Sequence, residues 1–340
     1  MLKVHFSFLL LVCLSICANA QVREVLSYKG GPGWTAPLNN SFLHTHGSIF
    51  RTQVNIKYKS PHSLEEEIFA RLDSIDRSVN PFNEHSTIYK VNNNLDVELD
   101  DWFISVFEQA QLVSKISDGL YDITAAPLIN RWGFGTDKIY ELPSQAEIDS
   151  LLKFVGYKKI RVENRRIVKE DPRIQLNASS IAKGFAVDLI AELLDSYEIP
   201  DYLVEIGGEV RVKGNNPDNE AWLLEIIKPI DDNTGQIQER EAVIAIHQGA
   251  LASSGNTANY YIKENKKYAH TINPVTGYPA ESEILIATVL YPECTLADAF
   301  ATAFMAMPMS LSIPIANSIP NMKYIFLFRD EEGKIQTVRN

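Results

Sequence analysis

The chain has 340 residues, 45% of them hydrophobic and 22% charged, which suits one large or two ordinary globular domains. Its net charge of −11 excludes a general nucleic-acid partner, because phosphate backbones are bound by an excess of Lys and Arg. A single nucleotide held by a metal ion and backbone amides stays open.

In chain order, Lys3 and His5 precede an apolar run from Phe6 to Ile16, and Ala18-Asn19-Ala20 supplies a small-x-small cleavage site before Gln21. Residues 1–20 read as a secretory leader, too short to span a bilayer comfortably. An uncleaved anchor is the competing reading. Cys13 and Cys17 follow Val12 and Ile16, where a lipid-attachment motif has a small residue, so simple cleavage is expected. The mature chain then keeps only Cys294 and has no internal disulfide. No His stands near Cys294 in sequence, so it reads as a packed small residue.

Residues 21–40 are rich in Gly, Pro and Asn and read as an irregular lead-in. Thr52 to Tyr58 alternates as a strand does. Ser63 to Ser78 carries Leu64, Ile68, Leu72 and Ile75 at helical spacing, with Ser63 as the expected cap. Further helices are expected over Asp101 to Ser117, Gln145 to Val155 and Ile181 to Leu194. Lys159 to Val162 and Arg166 to Lys169 predict a hairpin around Asn164. Tyr202 to Ile206 and Val210 to Lys213 read as strands flanking Gly207-Gly208. Trp222 to Lys228 and Ala242 to His247 are strands separated by a polar loop, Asp231 to Glu239. Ile284 to Val289 is a strand leading into a long helix through Asp298. Met322 to Phe328 and Lys334 to Val338 predict a terminal hairpin. Helices and strands intersperse without a regular β-α-β rhythm, so the expected fold class is α+β, one domain of antiparallel sheets packed with helices.

Asp298 and Thr302 stand four residues apart in an Ala-rich run, on one face of the predicted helix. A carboxylate and a hydroxyl with no His or Cys nearby suit a hard cation such as Mg²⁺. Mg²⁺ commonly shares its shell with substrate phosphates, which points to a nucleotide substrate. Ser179-Ser180 followed by Lys183-Gly184 places small residues and a lysine at a helix start, where free N–H groups favour phosphate. An ordinary Ser-capped helix with a solvated lysine is the plain alternative.

Between Gly119 and Gly135, Tyr121, Trp132 and Phe134 either flank a planar ring or fill the core. Asp122 sits in an apolar stretch and needs a partner. Ala250 to Asn256 reads as a Ser-Gly turn, plain or phosphate-binding. His270 is either a structural histidine or a general base near neutral pH.

In this order the segments resemble the ApbE family, the FAD:protein FMN transferases. The resemblance rests on Asp122-Ile123-Thr124 running to Gly135, Ile181 to Gly184 with Asp188, and Ile206-Gly207-Gly208. It continues through Ser253-Ser254-Gly255, His270 to Gly277, and Ala297 to Thr302. It covers about residues 45–310 and implies an ApbE-like, T-fold-like domain over 41–340. The implied activity is Mg²⁺-dependent transfer of FMN from FAD to a Thr or Ser hydroxyl of an extracytoplasmic flavoprotein, releasing AMP. The acceptor is soluble or membrane-associated. The implied metal donors are the Ala182 carbonyl, Asp298 and Thr302. The implied flavin contacts are Phe50, Phe82, Leu120, Tyr121, Asp122, Ser179, Lys183 and Ile272, and His270 is the implied base.

The chain departs from the family pattern at Phe50-Arg51-Thr52, where Met-Gly-Thr is usual. It departs again at Asn80-Pro81-Phe82, at Ser179-Ser180 and at Asn177, where Asp is common. Arg51 is expected to narrow or recharge one edge of the flavin pocket. Two alternatives stand beside transfer: hydrolysis of FAD to FMN and AMP, and flavin binding without turnover.

Overall fold

Alternation of buried and exposed side chains sets up the first two strands, β1 (Phe42–Ile49) and β2 (Thr52–Lys59), joined by the two-residue turn Phe50-Arg51. The computed structural model describes residues 41–135, 141–228, 239–256, 259–264 and 266–340. The leader, the lead-in and most of the Asp231 to Glu239 loop lie outside them.

Val54, Ile56 and Tyr58 of β2 turn inward onto α1 (Glu65–Val79), whose Ile68, Leu72, Ile75 and Val79 are buried as the spacing predicts. Ser63 stands one residue before the helix boundary. The residue at its N-terminal boundary is Leu64, whose N–H donates to the Tyr58 hydroxyl at 2.9 Å. Ser63 Oγ still accepts the N–H of Glu65, the first residue of the helix, at 3.3 Å, so the serine and a buried tyrosine of the sheet share the helix start.

Next come α2 (Thr87–Asn92), α3 (Asp101–Ile116), α4 (Ala126–Arg131) and α5 (Gln145–Leu151). Ser144 and Glu147 form a capping box on α5, and a short 3-10 turn over Leu152–Phe154 completes the expected segment. β3 (Ile160–Glu163) and β4 (Arg166–Lys169) make the predicted hairpin.

The 15-residue α6 (Ala182–Ser196) leads into β5 (Tyr202–Ile206) and β6 (Glu209–Lys213). Gly207 and Gly208 form their turn with φ of 64° and 99°. A Cβ on Gly207 would lie 2.8 Å from the Thr52 side chain, so the β5–β6 tip sits hard against the start of β2. β7 (Trp222–Lys228) and β8 (Glu239–Ile246) pair as a separate ribbon.

The segment expected as a Ser-Gly turn is instead a strand, β9 (Gln248–Gly255), paired with β6 on one side. Small residues hide its alternation. After β10 (Tyr260–Lys263) and β11 (Lys266–Ala269) come β12 (Ile284–Tyr291), α7 (Cys294–Met305), α8 (Met309–Ser318), β13 (Lys323–Arg329) and β14 (Ile335–Arg339).

Eight strands form one antiparallel sheet in the order β1-β2-β5-β6-β9-β12-β13-β14. The helices pack on one face, with α6 over β5 and β6 and α7 over β9 and β12. The β7–β8 ribbon covers part of the other face through Trp222, Leu224 and Ile226, which meet Val210, Val212, Leu251, Ile325 and Leu327. The α+β expectation holds. A smaller apolar cluster of Leu128, Trp132, Ile148, Val155 and Ile272 anchors the 270s segment against α4 and α5. Among the described residues no helix is long and apolar enough to cross a membrane.

Candidate functional site

The start of α6 and the middle of α7 meet edge to edge, and Gly184 makes that possible. A Cβ at Gly184 would collide with the Cys294 carbonyl and lie 2.8 Å from Asp298 Cβ. With no Cβ there, the Gly184 N–H donates to Asp298 Oδ2 at 3.0 Å. Asp298 is 2% exposed. Burial pushes its carboxyl pKa up, while Lys183 and the Gly184 N–H hold it back. One turn on, the Thr302 hydroxyl lies 3.1 Å from Ser254 Oγ on β9. Ser253 instead meets Thr288 Oγ1, so of the two serines read as a turn, Ser254 is the one beside Thr302.

Ala182 is the first residue of α6, next to Lys183. The helix start has no side-chain cap; the Ile181 and Ala182 N–H groups both donate to the Ala178 carbonyl. Lys183 Nζ forms an ion pair with Glu209 Oε1 at 2.5 Å. Burial would lower the Lys183 pKa, but Glu209 and Asp298 outweigh it and raise it, so the ammonium stays charged. Glu209 opens β6 just after the Gly207-Gly208 turn and is 1% exposed. Its Oε2 is buried with no hydrogen-bond partner.

The tyrosine and aspartate of the Gly119–Gly135 segment part ways. Tyr121 is buried, accepts a hydrogen bond from Ser180 Oγ at 3.0 Å and lies within the field of Asp298. Asp122 is fully engaged by its own chain. It accepts from Thr124 N at 2.8 Å, Thr124 Oγ1 at 2.7 Å and Tyr157 N at 2.6 Å, which supplies the partners its burial demands. Trp132 is core, with its indole N–H donating to the Gly277 carbonyl at 2.8 Å. Phe134 stacks on Tyr261 at 5.4 Å and meets the His270 ring edge-on at 6.4 Å.

His270 follows β11 and is half-buried. Its Nδ1 faces the Asn259 carbonyl at 3.1 Å. A carbonyl only accepts, so Nδ1 carries the proton and Nε2 keeps its lone pair. Burial lowers the imidazole pKa below 6.5, and the charge of Lys183 lowers it further, which places the two in one electrostatic neighbourhood. Ile272 is buried in the smaller cluster and bridges Pro279.

Phe50 and Leu120 are half-buried against the main core. Phe50 and Arg51 both have positive φ, 51° and 62°, as their two-residue hairpin turn requires. The Arg51 guanidinium lies over the exposed Phe82 ring, 5.0 Å from its centroid. The family departure at Arg51 therefore touches Phe82, one of the implied flavin contacts. Phe82, Tyr89, Asn130 and Asn177 line a cleft of about 180 Å³. Asn177 Oδ1 accepts from the Ser179 N–H at 2.8 Å, an acceptor role in which an amide oxygen can stand in for a carboxylate oxygen. Ser179 itself is exposed.

Among the described residues no group of three or more His, Cys, Asp or Glu could hold a metal. The donors that the family resemblance implies on α6 and α7 are a carboxylate, a hydroxyl and a main-chain carbonyl. That set suits a cation that keeps waters and binds substrate oxygens. The unpartnered carboxylate oxygen beside them adds acceptor capacity of the same kind.

Sequence reasoning missed Glu209. Its partner Lys183 is remote in sequence, and its one local signal is a charge following Gly-Gly amid apolar residues.

An antiparallel sheet with α6 and α7 packed on one face, and a charged, oxygen-rich seam between those two helices, places the chain in the α+β class. The sequence signature of the ApbE family matches residues 50–326, and the chain belongs to that family. The FAD:protein FMN transferase of Vibrio cholerae is 31% identical over 290 residues, covering 82% of this chain and 86% of that protein. The enzyme of the same description from Haemophilus influenzae is 31% identical over 303 residues, covering 84% and 86%. The solved flavin transferase ApbE from Vibrio cholerae superposes with a TM-score of 0.79 at 28% identity, over 88% of this chain and 97% of that one. The apo flavinyl transferase ApbE of Pseudomonas stutzeri gives 0.79 at 25% identity, over 90% and 96%.

Proposed function

We propose that this ApbE-family enzyme, a FAD:protein FMN transferase, works outside the cytoplasm and uses Mg²⁺ to move FMN from FAD onto a Thr or Ser hydroxyl of an acceptor flavoprotein, soluble or membrane-associated. The observation that carries the reading is the seam where the Gly184 N–H meets Asp298 Oδ2, with Lys183 and Thr302 alongside. When bound, Mg²⁺ supplies charge neutralisation at the pyrophosphate, with Asp298, the Thr302 hydroxyl and the Ala182 carbonyl as its protein donors.

The chain's own residues do the rest. Lys183 holds a permanent positive charge for non-bridging phosphate oxygens. Phe50, Phe82, Leu120, Tyr121 and Ile272 give the isoalloxazine an apolar and aromatic surround, and Phe82, exposed apart from the Arg51 guanidinium over its ring, is the one placed to stack. Asp122 fixes the Tyr121 segment through Thr124 and Tyr157, and Ser179 stands at the turn before α6.

His270 takes the proton of the acceptor hydroxyl at Nε2, since Nδ1 is committed to Asn259. The hydroxyl oxygen then bonds to the FMN phosphorus. The bond from that phosphorus to the bridging oxygen breaks, and AMP leaves with that oxygen.

Product analysis tests this reading. The purified chain is incubated with FAD, Mg²⁺ and a folded acceptor domain carrying a candidate Thr. Flavin fluorescence that stays on the acceptor through denaturation, with one AMP per flavin, is the expected result. Free FMN with AMP would mean hydrolysis, and intact FAD would mean binding alone.

A further inference from the structure

Glu209 has one oxygen too many for the contacts around it. Its Oε1 is paired with Lys183, and its Oε2 is buried with no donor. Buried carboxylate oxygens are nearly always satisfied, because leaving one bare forfeits its hydration for nothing. The side chain is not simply misplaced. Glu209 pairs with Ile206 across a tight glycine turn, and that turn is pressed against Thr52. Asp298, whose field reaches Glu209, is an ionisable acid and brings a second acceptor rather than a fixed donor. Lys183 already serves Oε1. Burial and the Asp298 charge push the Glu209 carboxyl up to about 8, so a donor that keeps it ionised is best supplied by a water polarised by a cation.

We propose that Glu209 is a positioning residue of the cation site, with one oxygen fixing Lys183 and the other accepting a hydrogen bond from a water held by the divalent cation. The inference rests on the cation reading above and extends it to a residue outside the implied donor set. Mg²⁺ sheds its waters reluctantly, so a site with three protein donors leaves waters that need acceptors. Carboxylates in that outer position tune metal affinity strongly. The arrangement couples the cation to the lysine: the same side chain that orders its water also orients Lys183.

Mn²⁺ is the probe. It is titrated into the full chain without FAD, and free Mn²⁺ is read by electron paramagnetic resonance for wild type, Glu209→Gln and Asp298→Ala. Water-proton relaxation reports the ordered waters on the bound ion. Glu209→Gln should raise the Mn²⁺ dissociation constant by roughly 10- to 100-fold and change the relaxation signal, with near-ultraviolet circular dichroism unchanged. Mn²⁺ affinity within about twofold of wild type in the folded variant would overturn the proposal, at the tenfold scale such contacts carry. So would weaker FAD binding in chelator with Mn²⁺ binding intact, which would mean that Glu209 acts through Lys183 alone. If Glu209→Gln does not fold, Glu209→Asp is measured against the same criteria. A wild type with no Asp298-dependent Mn²⁺ binding would remove the cation reading and this inference together. Asp298-dependent binding untouched by Glu209 variants would remove this inference alone.

Discussion

His270 and Lys183 influence each other through charge more than through contact. Burial, and then the lysine, hold the imidazole pKa below 6.5. A base works in its neutral form, and lowering its pKa extends that form toward acid. The acid limb of the transfer rate should therefore fall below pH 6.5. His270→Asn should lower transfer by about 10² or more while leaving FAD affinity within a few fold. Isothermal titration and a transfer assay on the same variant check this. Full transfer with unchanged binding would show that His270 is not the base. At this scale, legibility followed local spacing. Asp298 and Thr302 were readable because four residues make one helical turn. The Lys183–Glu209 pair was not, since only the folded sheet brings β6 to the start of α6. Asp122 was flagged by its apolar neighbours, but the donors that satisfy it include Tyr157, 35 residues away.

The helix α7 carries Asp298 and Thr302 of the proposed cation site, and its N-terminus is capped by another helix. Glu293 precedes it without a side-chain cap. Asp188 of α6 supplies the acceptors instead, taking Cys294 N at 2.9 Å, Thr295 N at 2.8 Å and Thr295 Oγ1 at 2.6 Å. Arg211 of β6 donates to the same carboxylate at 2.7 Å. A buried carboxylate thus ties α6, α7 and the sheet together at the end nearest the site. Asp188→Asn keeps the size but replaces one acceptor oxygen with a donor that faces other donors. It should cost roughly 2–4 kcal/mol, read as a lower midpoint in guanidinium denaturation. An unchanged midpoint would show that the cap is dispensable. Among the elements, α1, α3 and α6 were legible from apolar periodicity. β9 was not, because Ala-Ser-Ser-Gly carries little hydrophobic contrast. Pro314 lies inside α8 and reads as a breaker, although the helix runs through it. The polar alternation of His44, Thr45 and His46 likewise masked β1, which pairs along its whole length with β2.

The whole molecule is organised around the division of its sheet into a helical face, where the site lies, and a face partly covered by the β7–β8 ribbon. The antiparallel class was readable from the irregular mixture of elements. The strand order was not, since β2 next to β5 and β6 next to β9 are set by packing between distant segments. The leader reading belongs to this scale too. Intact mass of the protein recovered from outside the cytoplasm should correspond to a chain starting at Gln21 with no lipid; an acylated cysteine at the N-terminus would reverse this.

The central claim is that transfer runs through a cation held on α7. Its most direct test is FMN transfer by wild type and by Asp298→Ala, each with Mg²⁺ and with excess chelator. The account predicts loss of at least about 10²- to 10³-fold in the variant, a comparable loss in chelated wild type, and retained cooperative unfolding in both. Undiminished transfer by Asp298→Ala, or by wild type in chelator, would contradict it.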